Sequence, residues 1–541
     1  MLRLKRRSLT FLALACLYGW FTTGFLSTSV ASPRPQAAPG LEDRAAARVH
    51  LKNGQRALEA GDFPEARVQL ELAVRADPAL ADAYLGLGFL EMQAGNAAAA
   101  AQRFRKAVEL APGSFQGHYR LAMALLHEQK LREGLQELER AVAIDPLNAD
   151  ALYNLGIVLL GSNRPEDALT RLRQAGKQGS QRPDLAFNLV RAELAAGRAG
   201  DARKEAESAA ATFGADAAWR RAIGELFLQY KQPEAAIPHL AEAARLEPGS
   251  GEIRRRLAAA YLEAGDPARA LPLLVTADGA EDHYLAASAF LALRRFAEAD
   301  HESQLALQME PRDARYLLQR ARIDQRIGRH EESLELLRQA SQIDPDWAEP
   351  YYSAGVTLYL LHRYADARKS LDRALELEPR SVRCLFLYSA ALANQGQNRE
   401  GEEVLLRAIA LDPANARLYY HLGAIRLRDN RAAEAEEAFQ KAIQLKPDYA
   451  PPHYQLGKLL ARADKPEEAV QELEAAVKYQ PDLAQAYYQL ARVYARLGRQ
   501  KKSERALSTF NEFKRQEESP DIEFTDAVKR ELQAPDSHHE P

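Results

Sequence analysis

Small, apolar and polar positions return in a fixed order every 34 residues along this chain. In one unit the marks are Tyr84, Leu87, Gly88, Ala100, Phe104, Ala107 and Pro112. Far downstream they are Tyr419, Leu422, Gly423, Ala435, Phe439, Ala442 and Pro447, then His453, Leu456, Gly457, Ala469, Leu473, Ala476 and Pro481. Within each half of a unit the marks fall three or four residues apart, the spacing of one helix face, with polar residues between. Pro311, Pro345, Pro379, Pro413, Pro447 and Pro481 hold the period, and Pro78, Pro112, Pro146 and Pro248 hold it earlier. Proline has no backbone N–H and pushes the residue before it out of helix, so each one marks where a second helix stops. The pattern predicts fourteen two-helix units, opening at residues 47, 81, 115, 149, 183, 217, 251, 280, 314, 348, 382, 416, 450 and 484. One step is irregular: unit seven, 251–279, has 29 residues and carries Pro272 in its second helix. Units four and five lack the terminal proline, and unit five has Ala206 where a large apolar residue is usual.

This repeat resembles the tetratricopeptide repeat, whose 34-residue unit is a pair of antiparallel helices. The likeness covers about 47–517, roughly nine-tenths of the chain. It implies an all-α solenoid of about fourteen repeats wound into a right-handed superhelix. Gly88, Gly156, Gly355, Gly423 and Gly457, with Ala100, Ala168, Ala367, Ala435 and Ala469, let the two helices of a pair approach closely. Leu87, Phe104, Leu456 and Leu473 fill the space between successive pairs, and Gly61-Asp62-Phe63 and Gly498-Arg499 mark turns within a pair. The short unit predicts two arms, 47–279 and 280–517, which either meet at an irregular joint or absorb a loop deletion without bending.

The flanks differ in kind. Arg3, Lys5, Arg6 and Arg7 precede an apolar run from Leu9 to Leu26, and Ser29-Val30-Ala31 offers small residues to a signal peptidase. Residues 1–31 are therefore expected to be a signal peptide, or an uncleaved anchor through 9–26. Ala13-Leu14-Ala15-Cys16 fits a lipidation site poorly, because cleavage there would leave Leu17 to Leu26 unexplained. Residues 32–46 read as a Pro/Ala-rich linker. Residues 518–541 read as a polar, disordered tail, with Thr525 as the cap of a short helix over 526–532.

Composition agrees with helix: hydrophobic residues are 47%, aromatics only 8%, and alanine is frequent. Net charge is −3, or about −7 without the leader, which argues against a general nucleic-acid binder. The cysteines are Cys16 and Cys384, so the mature chain would keep one thiol, read as a small core residue.

No P-loop, GxGxxG, HExxH, GxSxG or CxxCH motif occurs, and the repeats leave no room for a catalytic domain. No cofactor is expected, and no metal, although His538-His539 stand in the tail. The resemblance implies binding in a concave groove lined by repeat positions 2, 5, 6, 9, 12 and 13 of the first helices. Position 5 is Tyr119, Tyr153, Tyr284, Tyr352, Tyr420, Tyr454 and Tyr488, with Phe187 and Phe386 in two other units. This column suits peptides or sugars, or else packs on the adjacent repeat. Arg428, Lys458, Arg462, Arg492 and Arg496 stand at positions 9 or 13 of the last three units, with Arg255, Arg322 and Arg326 earlier. They could hold an anionic ligand through bidentate contacts, or form a solvated, salt-paired wall. The lysine/asparagine clamp of chaperone-tail receptors is missing: unit one has Leu51 and Gln55, and Asn154 and Asn188 are isolated fragments. The expected function is a non-catalytic scaffold of the periplasm or cell envelope that binds proteins or peptides. The alternative is a carbohydrate-handling component of an exopolysaccharide system, with an acidic glycan as partner.

Overall fold

The computed structural model describes residues 40–179, 182–274 and 279–516. The leader or anchor, residues 32–39 of the linker, the helix expected at 526–532 and His538-His539 lie outside the described residues. Among the described residues there are 28 helices and no strand, forming fourteen consecutive helix pairs. Thirteen first helices open at the residue that opens their repeat, from Ala81–Gln93 to Ala484–Arg496. The exception is the first, Leu41–Glu59, which begins inside the expected linker. Residues 41–46 are helical because Leu-Glu-Asp-Arg-Ala-Ala are helix formers, with Glu42 and Asp43 at the positive end of the helix dipole. Asp43 Oδ2 also accepts from the Gly40 N–H at 3.1 Å.

The chain divides into two compact units, one up to Gly249 and one from Ser250. The first holds repeats one to six. Its fourth repeat lacks the stop proline, and the second helix Pro165–Lys177 ends instead into Gly179, whose φ is +86°. The other unit holds repeats seven to fourteen. Repeat seven keeps a full first helix, Gly251–Glu263, and its second helix is described over Pro267–Leu274. Pro272 lies inside that helix. Elsewhere the stop works as the proline rule requires: Phe104's helix ends at Leu110, and Ala111, before Pro112, is extended at φ −135°, ψ 76°.

Two local features recur, the first in all fourteen repeats and the second in seven. The first is the turn between paired helices. The fifteenth residue of all fourteen repeats has positive φ, near +60° to +85°. Glycine supplies it in seven, including Gly61 and Gly498; Gln129, Asn163, Lys231, Arg294, His362, Asn430 and Asp464 supply it in the others. For a residue with a Cβ this conformation costs about 1 kcal/mol, which the packed helices on either side must offset. The second feature is the meeting of the paired helices. A Cβ added to Gly423 would stand 2.6 Å from the Phe439 ring, and one on Gly457 or Gly156 would stand 2.6 Å from Leu473 or Leu172. The large side chain of the second helix thus lies against bare backbone of the first. Leu172, Phe439 and Leu473 are fully buried there, each contributing about 1.5–3 kcal/mol relative to exposure.

Polar groups also cross some of the pairs. His453 Nδ1 lies 2.6 Å from Glu472 Oε2, and its Nε2 lies 2.9 Å from the Pro447 carbonyl oxygen. His118 meets Glu137 and the Pro112 carbonyl in the same register, at 2.6 and 3.0 Å. A carboxylate and a carbonyl can only accept, so this geometry favours the charged form of the His453 ring, which donates from both nitrogens. Burial opposes that charge, but the Glu472 carboxylate and the Pro447 carbonyl outweigh it and raise the pKa of His453. The folded pKa therefore exceeds the unfolded one. The pair contributes fully below about pH 6.5, the unfolded value, and its contribution is lost as pH rises through the folded one. Thermal denaturation should show the full chain losing stability as pH rises above about 6.5, and Glu472→Gln losing less over the same rise. Superimposable pH profiles would contradict this assignment.

Candidate functional site

The first helices of successive repeats line one face in each unit, and the position-5 tyrosines lie along it in three different situations. In the first unit Tyr119 accepts a hydrogen bond from Asn154 Nδ2 at 2.8 Å, and Tyr153 accepts from Asn188 Nδ2 at 3.1 Å. Arg182 stacks over the Tyr153 ring at 4.1 Å. The asparagines that looked like clamp fragments thus tie each repeat to the tyrosine of the one before. Burial pushes the Tyr119 and Tyr153 phenols upward, so both are neutral donors and acceptors at physiological pH.

In the other unit Tyr420 and Tyr454 are core residues, 3% and 4% exposed. Tyr420 packs against Phe439 and Tyr449, and Tyr454 lies under Lys458, 5.0 Å from its ring centre. Tyr284 stacks on Tyr316 at 5.1 Å, and Tyr352 lies under Arg383 at 4.4 Å; both are half-buried. Tyr488 alone of the seven is open to solvent, at 41% exposure. The column is therefore not one continuous aromatic surface. Most of its rings, Tyr153 included, are committed to the seams between helices.

The cations also sort by partner. Arg428 donates to Asn394 Oδ1 at 3.1 Å. Arg255 pairs with Asp282 at 3.3 Å, and Arg322 shares Glu349 with Arg383. Arg326 is exposed. Arg496 donates to the Ala461 carbonyl at 2.7 Å and pairs with Asp464, which brings together the C-terminal ends of the first helices of repeats thirteen and fourteen. Arg462 and Arg492 are exposed and meet no carboxylate among the described residues; Arg492 has only the Tyr488 ring, 5.9 Å away. Of the residues expected on this surface, Tyr488, Arg462 and Arg492 form the part still open to a ligand.

Sequence reading missed a set of charges at the eleventh position of some first helices, where leucine or an aromatic is usual. Arg426 donates to Glu402 at 2.8 Å, Glu91 receives Arg67 at 2.6 Å, and Glu193, 1% exposed, receives Arg173 at 2.8 Å. Burial alone would raise the Glu402 carboxyl, but the Arg431 and Arg426 guanidiniums hold it below the usual range. The available signal was a charged residue in an apolar slot, matched by an opposite charge about 24 residues upstream in two of the three pairs.

Tetratricopeptide repeat profiles match residues 51–115, 125–226, 227–293, 314–346, 348–381, 390–487 and 484–515. The chain belongs to the tetratricopeptide repeat family. A curated relative, small glutamine-rich tetratricopeptide repeat-containing protein 2 of Mycosarcoma maydis, is 30% identical over 74 residues. That match spans 14% of this chain and 21% of the relative's length. Among solved structures, the APC/C hetero-tetramer Cut9–Hcn1 is similar at 14% identity and a TM-score of 0.40, covering 83% of this chain and 96% of that one. Yeast Tom70 is similar at 18% identity and a TM-score of 0.36, covering 84% and 94%.

The tetratricopeptide fold also accounts for the thiol. Cys384 is 1% exposed, with Sγ 3.6 Å from the Leu371 carbonyl, and burial pushes its pKa up to about 12. In a Cys16→Ser chain, a thiol reagent should leave the native protein unlabelled and label Cys384 only on unfolding. Rapid labelling of the native chain would contradict this placement.

Proposed function

We propose that this tetratricopeptide array is a non-catalytic scaffold of the periplasm or cell envelope that binds carboxylate-bearing segments of partner proteins at repeats thirteen and fourteen. One observation carries the reading. Arg462 and Arg492 stand exposed without a carboxylate among the described residues, Arg492 near the exposed Tyr488, on a face where Arg496, Arg428 and Arg322 are already engaged. An arginine fork left open is suited to a bidentate carboxylate, and an adjacent tyrosine adds a flat apolar surface at little entropic cost. The neighbouring Arg496 is already held by Ala461 and Asp464, so part of the surface is rigid before a partner arrives. Export is supported by the basic start at Arg3–Arg7 and the apolar run after it. An acidic glycan would use the same two arginines and is separated from a protein partner by the test.

The test is crosslinked capture from intact cells with the full chain and with Arg462→Glu/Arg492→Glu, read by mass spectrometry. A small set of envelope proteins should be captured by the wild type and lost from the variant. An unchanged set would overturn the assignment. No captured protein, with retention on an acidic polysaccharide column that high salt abolishes, would assign the surface to a glycan. Intact mass in the same samples should show a periplasmic chain beginning at Ser32, or the whole chain in the membrane; the whole chain in the cytosol would contradict export.

A further inference from the structure

Repeat eight departs from its neighbours at the point where packing is usually tightest. Its twenty-fourth residue is Ser303, at the place held by Leu172, Leu371, Phe439 and Leu473 in other repeats. The residue that reaches it from repeat nine is Arg320, at a position that is Leu87, Leu155 or Leu456 elsewhere. Arg320 Nη1 donates to Ser303 Oγ at 3.1 Å and to the Asp300 carbonyl at 2.7 Å, while Nη2 pairs with the Asp300 carboxylate at 2.8 Å. An apolar contact has thus been replaced by a buried polar cluster.

Asp324 completes that cluster without being satisfied by it. It is 2% exposed, and its Oδ2 lies 3.5 Å from Arg320 Nε. Its Oδ1 accepts no hydrogen bond; the nearest cation, Arg329 Nη1, is 3.7 Å away and also serves Asp300. A buried carboxylate oxygen without a donor is costly, and in native proteins such an atom calls for a partner. Asp324 lines an open cleft of about 890 Å³ between the second helices Phe296–Met309 and His330–Ile343. Leu307 and Leu336 form apolar parts of the lining, and Glu331, Glu332 and Glu335 add three more carboxylates. Glu331 pairs with Arg363 and Glu335 with Arg338, whereas Glu332 is exposed and has no partner among the described residues.

We propose that this cleft binds a lysine or arginine side chain presented by a basic peptide segment. The cationic group donates to Asp324 Oδ1 and is balanced by Glu332, while Leu307 and Leu336 cover its methylene stem. The surface lies between second helices over the first-helix residues Arg320 and Asp324, and its lining sets four carboxylates against the two arginines Arg320 and Arg329. It is therefore separate from the basic first-helix surface of repeats thirteen and fourteen, and stands or falls independently of it.

Fluorescence anisotropy of a fluorescein-labelled hexa-arginine peptide, titrated with the full chain at low salt, tests the proposal. Glu332→Lys and Asp324→Asn should each weaken binding at least about tenfold, the scale of one lost charge-assisted hydrogen bond. Glu437→Lys, the same charge change on an exposed second-helix residue of repeat twelve, should weaken it less than about twofold, as expected of a remote screened charge. Glu332 is exposed, so its variant keeps the test valid if Asp324→Asn does not fold. No binding by the wild type, unchanged affinity in Glu332→Lys, or an equal loss in Glu437→Lys would overturn the proposal.

Discussion

The contact on which the fold rests most heavily is made inside seven of the fourteen repeats, where the second helix sets a large apolar side chain against a glycine of the first. Gly423 facing Phe439 and Gly457 facing Leu473 leave no room for a Cβ. The approach is therefore fixed by a missing atom on one helix and a bulky group on the other, and neither helix could bury its apolar face alone. A left-handed fifteenth residue reverses the chain so that this contact can form, and it does so in all fourteen repeats whether or not glycine is there. Lys231 and Arg294 accept an unfavourable conformation because the helices around them determine it.

Between repeats the cohesion is of another kind. Ion pairs such as Glu402–Arg426 and Arg173–Glu193, and hydrogen bonds such as Asn154–Tyr119 and Asn188–Tyr153, join each pair to the next. These links are partly buried, so the cost of desolvating their charges offsets much of their attraction. They also consume the polar groups of the first-helix face. Among the described residues, Arg462, Arg492 and Tyr488 stay exposed at the C-terminal end, and Asp324 stays under-satisfied where a serine interrupts the apolar packing. Function in such an array follows from the places where the repeat rule is broken or left incomplete.

Much of the fold was legible in the sequence, because a 34-residue period with Gly, Ala, Leu and Pro at set places carries its own packing logic. Thirteen repeat starts coincide with helix starts for that reason. The opening helix was not legible: residues 41–46 share alanine with the linker but not its prolines, and only the acidic first turn announced a helix. The surface was read less well than the fold. Position 5 is tyrosine in seven repeats, yet whether a ring is buried, as Tyr420 is, or open, as Tyr488 is, depends on what the next repeat places over it. A residue type at a repeat position cannot report that, since the neighbour supplying the cover differs each time. Arg496 and Arg492 likewise look equivalent in sequence, and only the Ala461 carbonyl and Asp464 separate them.

The central claim is that stability is made locally, within and between neighbouring repeats, and that where glycine faces a large side chain this bare-backbone contact supplies much of it. Hydrogen exchange followed by mass spectrometry on the full chain and on Gly423→Leu tests it most directly, since the new side chain must displace the Phe439 ring. Overpacking of this kind costs about 1–3 kcal/mol. The account predicts lost protection across repeats eleven to thirteen, residues 382–483, with repeats one to six unchanged. Uniform loss along the whole chain, or no loss at all, would contradict it.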